Sequence, residues 1–205
     1  MTHRFGALMF TPHVKALQEE EGSRASYARF EAPDAPARDR LEERETDFIA
    51  ARDSLYMATV SETGWPYVQH RGGPPGFLKV LDDRMLGFAD YRGNKQYVSV
   101  GNLVTDDRVS LFLMDYPNQR RLKLLGHART IDAESDPALL ARLQDQYPAK
   151  VERGVIMTLE GFDWNCPQHI TARFTEAELT EALAPIRARL AALESENAAL
   201  KAARG

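Results

Sequence analysis

The apolar residues change period at Ser54. Upstream they fall three and four apart, the spacing of one helix face; downstream, as far as Leu159, they come in short bursts between turn residues, the spacing of strands. In the first region Thr11-Pro12 opens a helix, with a hydroxyl at the N-cap and proline where no amide is needed. That helix runs to Gly22, and a short second segment covers residues 24–30. After the loop holding Pro33 and Pro36, a longer helix is predicted from Ala37, with Leu41, Phe48 and Ile49 near one face. Residues 1–50 thus read as a helical collar over one end of a core, with packing rather than catalysis as the expected role.

Strands are predicted over residues 55–60, 65–68, 77–81, 85–89, 109–114, 122–131 and 154–159. Glu62-Thr63-Gly64 turns the first into the second, and Asp82-Asp83 the third into the fourth. Helices are expected over residues 94–102 and from Asp136-Pro137 to Leu143. Gly126 lies inside the longest strand, where backbone or ligand can approach closely. No Gly-x-Gly-x-x-Gly follows a strand, and long helices do not alternate with strands, so a doubly wound sheet is disfavoured. Short strands, tight turns and peripheral helices predict a mainly β fold, an antiparallel barrel over residues 51–174.

Residues 175–205 form a separate device. Thr175-Glu176-Ala177-Glu178 is a capping box, and Leu183, Ile186, Leu190, Leu193, Asn197 and Leu200 follow at spacings of three and four. With Leu183 at a, Asn197 is also an a position, where a buried amide favours parallel two-stranded pairing. Pro185 is expected to interrupt the helix, leaving little more than two heptads. A tail helix packed on its own domain is the alternative.

Composition narrows the function. A chain of 205 residues with 43% hydrophobic and 27% charged residues suits a soluble protein of one compact domain with additions at its ends, or of two small domains. The net charge of −4 argues against nucleic-acid binding. No run is long enough to span a membrane and the N-terminus lacks a signal-peptide core, so a cytoplasmic location is expected. The one cysteine, Cys166, excludes an internal disulfide, and no Cys/His cluster has zinc spacing. There is no Gly-x-Ser-x-Gly elbow, Walker loop or His-Glu-x-x-His helix.

The candidate chemistry lies in three places. Gln69, His70 and Arg71 end a strand before Gly72-Gly73, and Arg92, Asn94 and Lys95 surround Gly93 after the next strand pair. Two such donor sets suit a ligand that is planar at one end and phosphorylated at the other, with Arg71 and Lys95 as its anion partners. His70 is a general acid or a partner for a heteroaromatic ring, or else polar packing. Arg120 and Arg121 must face opposite sides of a strand. Finally, Asp163-Trp164-Asn165-Cys166-Pro167-Gln168-His169-Ile170 offers a stacking surface and several hydrogen-bonding groups; Cys166 reads as lining or buried rather than as a nucleophile.

These pieces carry a resemblance. Gly64-Trp-Pro-Tyr-Val-Gln-His-Arg-Gly-Gly, Gly93-Asn94-Lys95 with Asn102 after it, and Arg120-Arg121-Leu-Lys-Leu-Leu-Gly126-His-Ala make residues 54–129 resemble the pyridoxamine 5′-phosphate oxidase-like flavoproteins. The His-Arg-Gly-Gly-Pro-Pro-Gly-Phe and Asp-Trp-Asn-Cys-Pro-Gln-His-Ile stretches resemble one subfamily of these. The resemblance implies a six-stranded, Greek-key, FMN-binding split barrel with a C-terminal helix, and a homodimer with intersubunit flavin sites. It implies Gln69, His70 and Arg71 along the flavin and its ribityl chain, Asn94 and Lys95 on the phosphate, and Phe88 and Ala89 lining the site. Arg121 would reach the ring, and Trp164, Asn165, Cys166, Gln168 and His169 would close the partner's pocket. The implied activity is hydride or electron transfer between FMN and either NAD(P)H or a small organic substrate. Three departures argue against vitamin B6 oxidation itself. The phosphate turn is Gly93-Asn94-Lys95 where the oxidases have Ser-Arg-Lys. Gln69 and Pro74 stand where their flavin strand has arginine and lysine, and their C-terminal tryptophan and arginine motif is not recognisable. A flavin carrier or sensor, or haem or F420 in the same barrel, are the alternatives.

Overall fold

A computed structural model of the chain describes residues 3–164 and 166–203. Its strands are β1 (Ser54–Val60), β2 (Pro66–Gly72), β3 (Lys79–Val80), β4 (Met85–Tyr91), β5 (Arg108–Asp115), β6 (Arg120–Ile131) and β7 (Val151–Trp164). They form one seven-stranded sheet in the order β2-β1-β5-β6-β7-β4-β3. Every pairing is antiparallel, with β2 and β3 at the two ends of the ladder, so the barrel is split. Where six barrel strands were expected, seven form. The six were implied by the family resemblance; the seventh corresponds to the strand predicted over residues 77–81, which forms only as the two-residue β3, paired with β4.

Strand alternation builds the core. Val109, Leu111 and Leu113 of β5 and Leu122 and Leu124 of β6 point inward, meeting Leu55, Met57, Phe88, Met157 and Leu159. The helices are α1 (Arg4–Met9), α2 (Pro12–Glu20), α3 (Arg24–Ala28), α4 (Glu43–Ala50), α5 (Val98–Thr105), α6 (Pro137–Leu143) and α7 (Glu176–Ala202). Thr11 Oγ accepts from Val14 N at the start of α2, as its sequence predicts. Leu41 and the α4 residues Phe48 and Ile49 extend the same core.

Two helices begin later than their periodicity predicts, for the same reason. Arg38 has φ +49°, a left-handed conformation that a right-handed helix cannot include, and α4 starts only where Glu42 and Glu45 form a capping box. Lys95 and Tyr97 have φ +62° and +53°, which delays α5 to Val98. At the other end of the barrel β7 outruns its prediction and carries Asp163 and Trp164 as the close of a strand. Trp164 Nε1 donates to the buried Glu45 carboxylate at 2.6 Å, and its ring packs edge-on to Phe48.

The chain forms two compact units. One comprises the residues up to Asp115 with 120–167; the other comprises 116–119 with 168–205. Within the second, Gln119 Nε2 donates to Ile170 O at 2.5 Å and the Arg173 guanidinium lies over the Tyr116 ring. Its α7 is one 27-residue helix that passes through Pro185 without the expected interruption. The helix is exposed along its length, so the Glu181 carbonyl that loses its amide partner can bond to water instead. Among the described residues no helix is long and apolar enough to cross a membrane.

Gly126 marks a close strand approach. The β6–β7 register slips between Leu125 and Gly126, and a Cβ placed on Gly126 would lie 2.2 Å from Thr158 O and 2.7 Å from Met157 Cε. Of the two readings of this glycine, the approach is by backbone. Gly126→Ala is expected to destabilise the barrel by about 1–3 kcal/mol through overpacking. Urea unfolding checks this; an unchanged midpoint would mean that the bulge absorbs a methyl group.

Candidate functional site

Alternation along β2 divides the predicted donor triplet. Gln69 and Arg71 are half-buried on one face while His70 is exposed on the other, edge-on to Tyr56 with ring centroids 5.7 Å apart. On the inner face, Gln69 Oε1 accepts from Ser99 Oγ at 2.9 Å and Arg71 Nη1 donates to Asp90 Oδ1 at 2.7 Å. The second contact joins β2, one end of the ladder, to β4, next to the other end, and so spans the split.

Asp90 is 6% exposed. Burial pushes its carboxyl pKa up, and Arg71 and Arg153 pull it back, Arg153 Nε lying 3.5 Å from the second oxygen. Arg153 is its partner directly across the β4–β7 pair, and the register shift after Asp90 leaves Glu152 as the extra residue of a bulge. Glu152 accepts from Tyr97 Oη at 3.3 Å and pairs with Arg153 at 3.3 Å and Arg92 at 3.6 Å. The Arg153 guanidinium lies 4.9 Å from the Tyr97 ring centroid.

The loop above this network is held in an uncommon conformation. Asn94 Oδ1 accepts from Gln96 N at 3.2 Å, and Lys95 and Tyr97 on either side are both left-handed. The chain thereby enters α5 with no side-chain cap on its first turn, which leaves amides available at the end that favours anions. A hydrogen bond from Asn102 Nδ2 to Thr59 Oγ1, 2.9 Å and buried, pins α5 to β1.

Gln69, Arg71, Asp90, Asn94, Lys95 and Tyr97 line one narrow cleft of about 50 Å³. That is room for a phosphate group and too little for a tricyclic ring. Arg71 Nε and Tyr91 Oη, from two lining residues, are buried with no hydrogen-bond partner among the described residues. Lys95 has no acidic partner among them either. The lining itself holds two cations (Arg71 and Lys95) and two carboxylates (Asp90 and Glu152); Arg92 and Arg153 lie outside it and pair with those carboxylates.

The remaining predicted residues lie elsewhere. Phe88 and Ala89 are core residues on opposite faces of β4, Phe88 edge-on to Phe77 and Ala89 against the cluster with Ile131 and Leu143. Gly73 is approached by Phe77, whose Cβ is 2.7 Å from where a glycine Cβ would be. Arg120 and Arg121 do diverge: the Arg120 guanidinium lies over Phe48 and Trp164, while Arg121 Nε is buried with no hydrogen-bond partner among the described residues. Trp164 lines a separate cleft of about 400 Å³ with Arg38, Arg44 and Glu45. Asn165 lies outside the described residues. Cys166 is exposed, as are Gln168 and His169, which belong to the second unit. Among the described residues no three His, Cys, Asp or Glu side chains gather as a metal site. Sequence reasoning missed Asp90, Ser99, Tyr97, Glu152 and Arg153, because strand pairing brings β4, β7 and α5 together from distant parts of the chain.

The sequence pattern of the pyridoxamine 5′-phosphate oxidase family matches residues 41–165, which is more than half of the chain and includes every residue lining the cleft. The chain belongs to the pyridoxamine 5′-phosphate oxidase family. No curated protein matches it in sequence. Among solved structures, an FMN-binding protein from Syntrophomonas wolfei is 11% identical, with 75% of this chain and 97% of that one covered and a TM-score of 0.47. A Clostridium acetobutylicum protein related to general stress protein 26 is 15% identical, over 66% and 94% of the two chains, with a TM-score of 0.43. The haem-storage protein HutZ of Vibrio cholerae is 18% identical, over 60% and 94%, with a TM-score of 0.39.

In this family member the ion pair across the split gives a pH-dependent prediction. Arg71→Ala would leave Asp90 buried with Arg153 alone, at an expected cost of about 3 kcal/mol near neutral pH. The Asp90 pKa, already above its ordinary 3.8, would rise further without Arg71. A raised carboxyl pKa makes the charged form the costly one, so the penalty is present above the folded-state pKa and is relieved as pH falls through it. The deficit relative to wild type should therefore shrink as pH falls from about 7.5 to about 5. Urea midpoints for both proteins at the two pH values measure it, and an equal deficit at both would rule out the charge on Asp90 as the cause.

Proposed function

We propose that the chain is an FMN-binding flavoprotein that works as a homodimer, with the Lys95 cleft holding the phosphate of the cofactor. The observation that carries this reading is the presence in one cleft of Lys95, which has no acidic partner among the described residues, and of Arg71, whose Nε is buried with no hydrogen-bond partner among them, two donors suited to a phosphate monoester with its roughly two negative charges. The unpartnered Arg71 Nε and Tyr91 Oη and the uncapped start of α5 fit the same group. Lys95 lines the cleft with no acidic partner among the described residues, and Asn94 fixes the turn that presents it. Gln69 and Arg71, on the inner face of β2, line the path away from the phosphate. Asp90 holds Arg71 in one orientation.

The small volume of the cleft supports a ring site completed by a second subunit. Trp164, Cys166, Gln168 and His169 are the proposed contributors from that subunit, with Arg121 on the ring side. When bound, FMN supplies hydride or electron transfer with a nicotinamide or a small organic substrate. The protein contributes binding, orientation and exclusion of water. The reading places it in the cytoplasm, where the exposed Cys166 thiol stays reduced.

Lys95→Ala is expected to weaken FMN at least about tenfold, the usual scale for losing one charge-assisted contact. Quenching of FMN fluorescence on titration reads the affinity; equal affinity for both proteins would remove Lys95 from the phosphate site. The visible spectrum of the purified protein tests the cofactor itself, since a haem or deazaflavin band in place of a flavin band overturns the assignment. Anaerobic bleaching of the bound flavin by NADH or NADPH, with return of colour in air, is expected of an oxidoreductase. No bleaching with either donor would favour a carrier.

A further inference from the structure

The helix α7 presents a stripe that nothing in its own unit covers. Along its 27 residues none is buried, and Leu183, Ile186, Leu190, Leu193 and Leu200 are 39–64% exposed. These side chains fall on one seam of a seven-residue repeat, with Leu183, Leu190 and Asn197 at a and Ile186, Leu193 and Leu200 at d. Because α7 is continuous through Pro185, the seam starts at Leu183 rather than at Ile186, the first seam position after the proline. Pro185 itself falls at c, off the seam.

The charges beside the seam identify the occupant. In a parallel, in-register pair, each g position faces the e position of the next heptad on the other helix. Here g is Arg189 opposite e Glu194, and g is Glu196 opposite e Lys201, so both contacts join opposite charges, and symmetry makes each of them twice. The same register places Asn197 against Asn197, where two amides can satisfy each other. An antiparallel pair matching Leu183 with Leu200 would instead bury Asn197 against Ile186.

We propose that α7 pairs with α7 of a second copy of this chain as a parallel, in-register two-stranded coiled coil. A zipper of so few heptads is marginal by itself, and here the proposal rests on the homodimer proposed above, which holds the two helices at high local concentration. The zipper in turn adds affinity to that dimer.

The test uses the full chain with Cys166→Ser and Leu200→Cys, in a glutathione redox buffer. Parallel pairing brings the two introduced thiols together and a disulfide-linked dimer is expected. Antiparallel pairing would separate them by about 25 Å. Arg189→Glu or Glu194→Arg alone opposes like charges twice and should lower the equilibrium fraction of cross-link about fivefold, while the two together restore it. Absence of the cross-link, or a double variant no better than the singles, overturns the proposal. Sedimentation of the unmodified chain reads the dimer separately, and neither readout involves flavin, so the zipper and the FMN assignment fail independently.

Discussion

The contact between Arg71 and Asp90 sets a constraint on the whole barrel. A sheet whose ladder ends in β2 and β3 has no hydrogen-bonded closure, and its two ends must be held by side chains. Arg71 and Asp90 do this from β2 and β4, inside a region where a lone charge would be costly. Burial favours the neutral form of Asp90, and two arginines are recruited to offset that preference. The result is a network in which Asp90 and Glu152 are each paired with two arginines, sharing Arg153.

The loop above the split continues that logic. Lys95 and Tyr97 occupy left-handed backbone that costs non-glycine residues on the order of 1 kcal/mol each. In exchange, Lys95 stands at the cleft and α5 begins without a side chain blocking its first amides. Asn102 and Ser99 then fasten α5 to β1 and β2, so the loop is strained between two fixed ends. At the far end of β7 the buried Glu45 has a comparable organising role. It caps α4 and receives the Trp164 indole, which ties the N-terminal collar to the last strand and places Trp164 in a cleft of its own.

How much of this could be read beforehand depends on the range of the interactions. The strands over residues 55–60 and 109–114, the capping boxed start of α7 and the Thr11-Pro12 opening of α2 follow from local alternation and capping, and the structure reproduces them. The starts of α4 and α5 did not follow, because Arg38, Lys95 and Tyr97 adopt left-handed backbone without a glycine to announce it. Gln69, Arg71, Asn94 and Lys95 were recognisable as donors in turns and strand ends, and the fold gathers them in one cleft. His70 was grouped with them by adjacency, yet alternation sends it to the opposite face.

By itself the sequence determined the strand pattern, the antiparallel class, the separate tail helix and four of the residues that line the Lys95 cleft. These depend on period-two alternation, turn chemistry and charge, which each act over a few residues. Only the tertiary structure decided that Asp90 and Arg153 hold Arg71, that Glu152 is bulged toward Tyr97, and that Phe88 and Ala89 serve the core. Those outcomes depend on which strands become neighbours and in what register. Neighbour and register are set by burying the whole core at once, so no short stretch of the chain contains them.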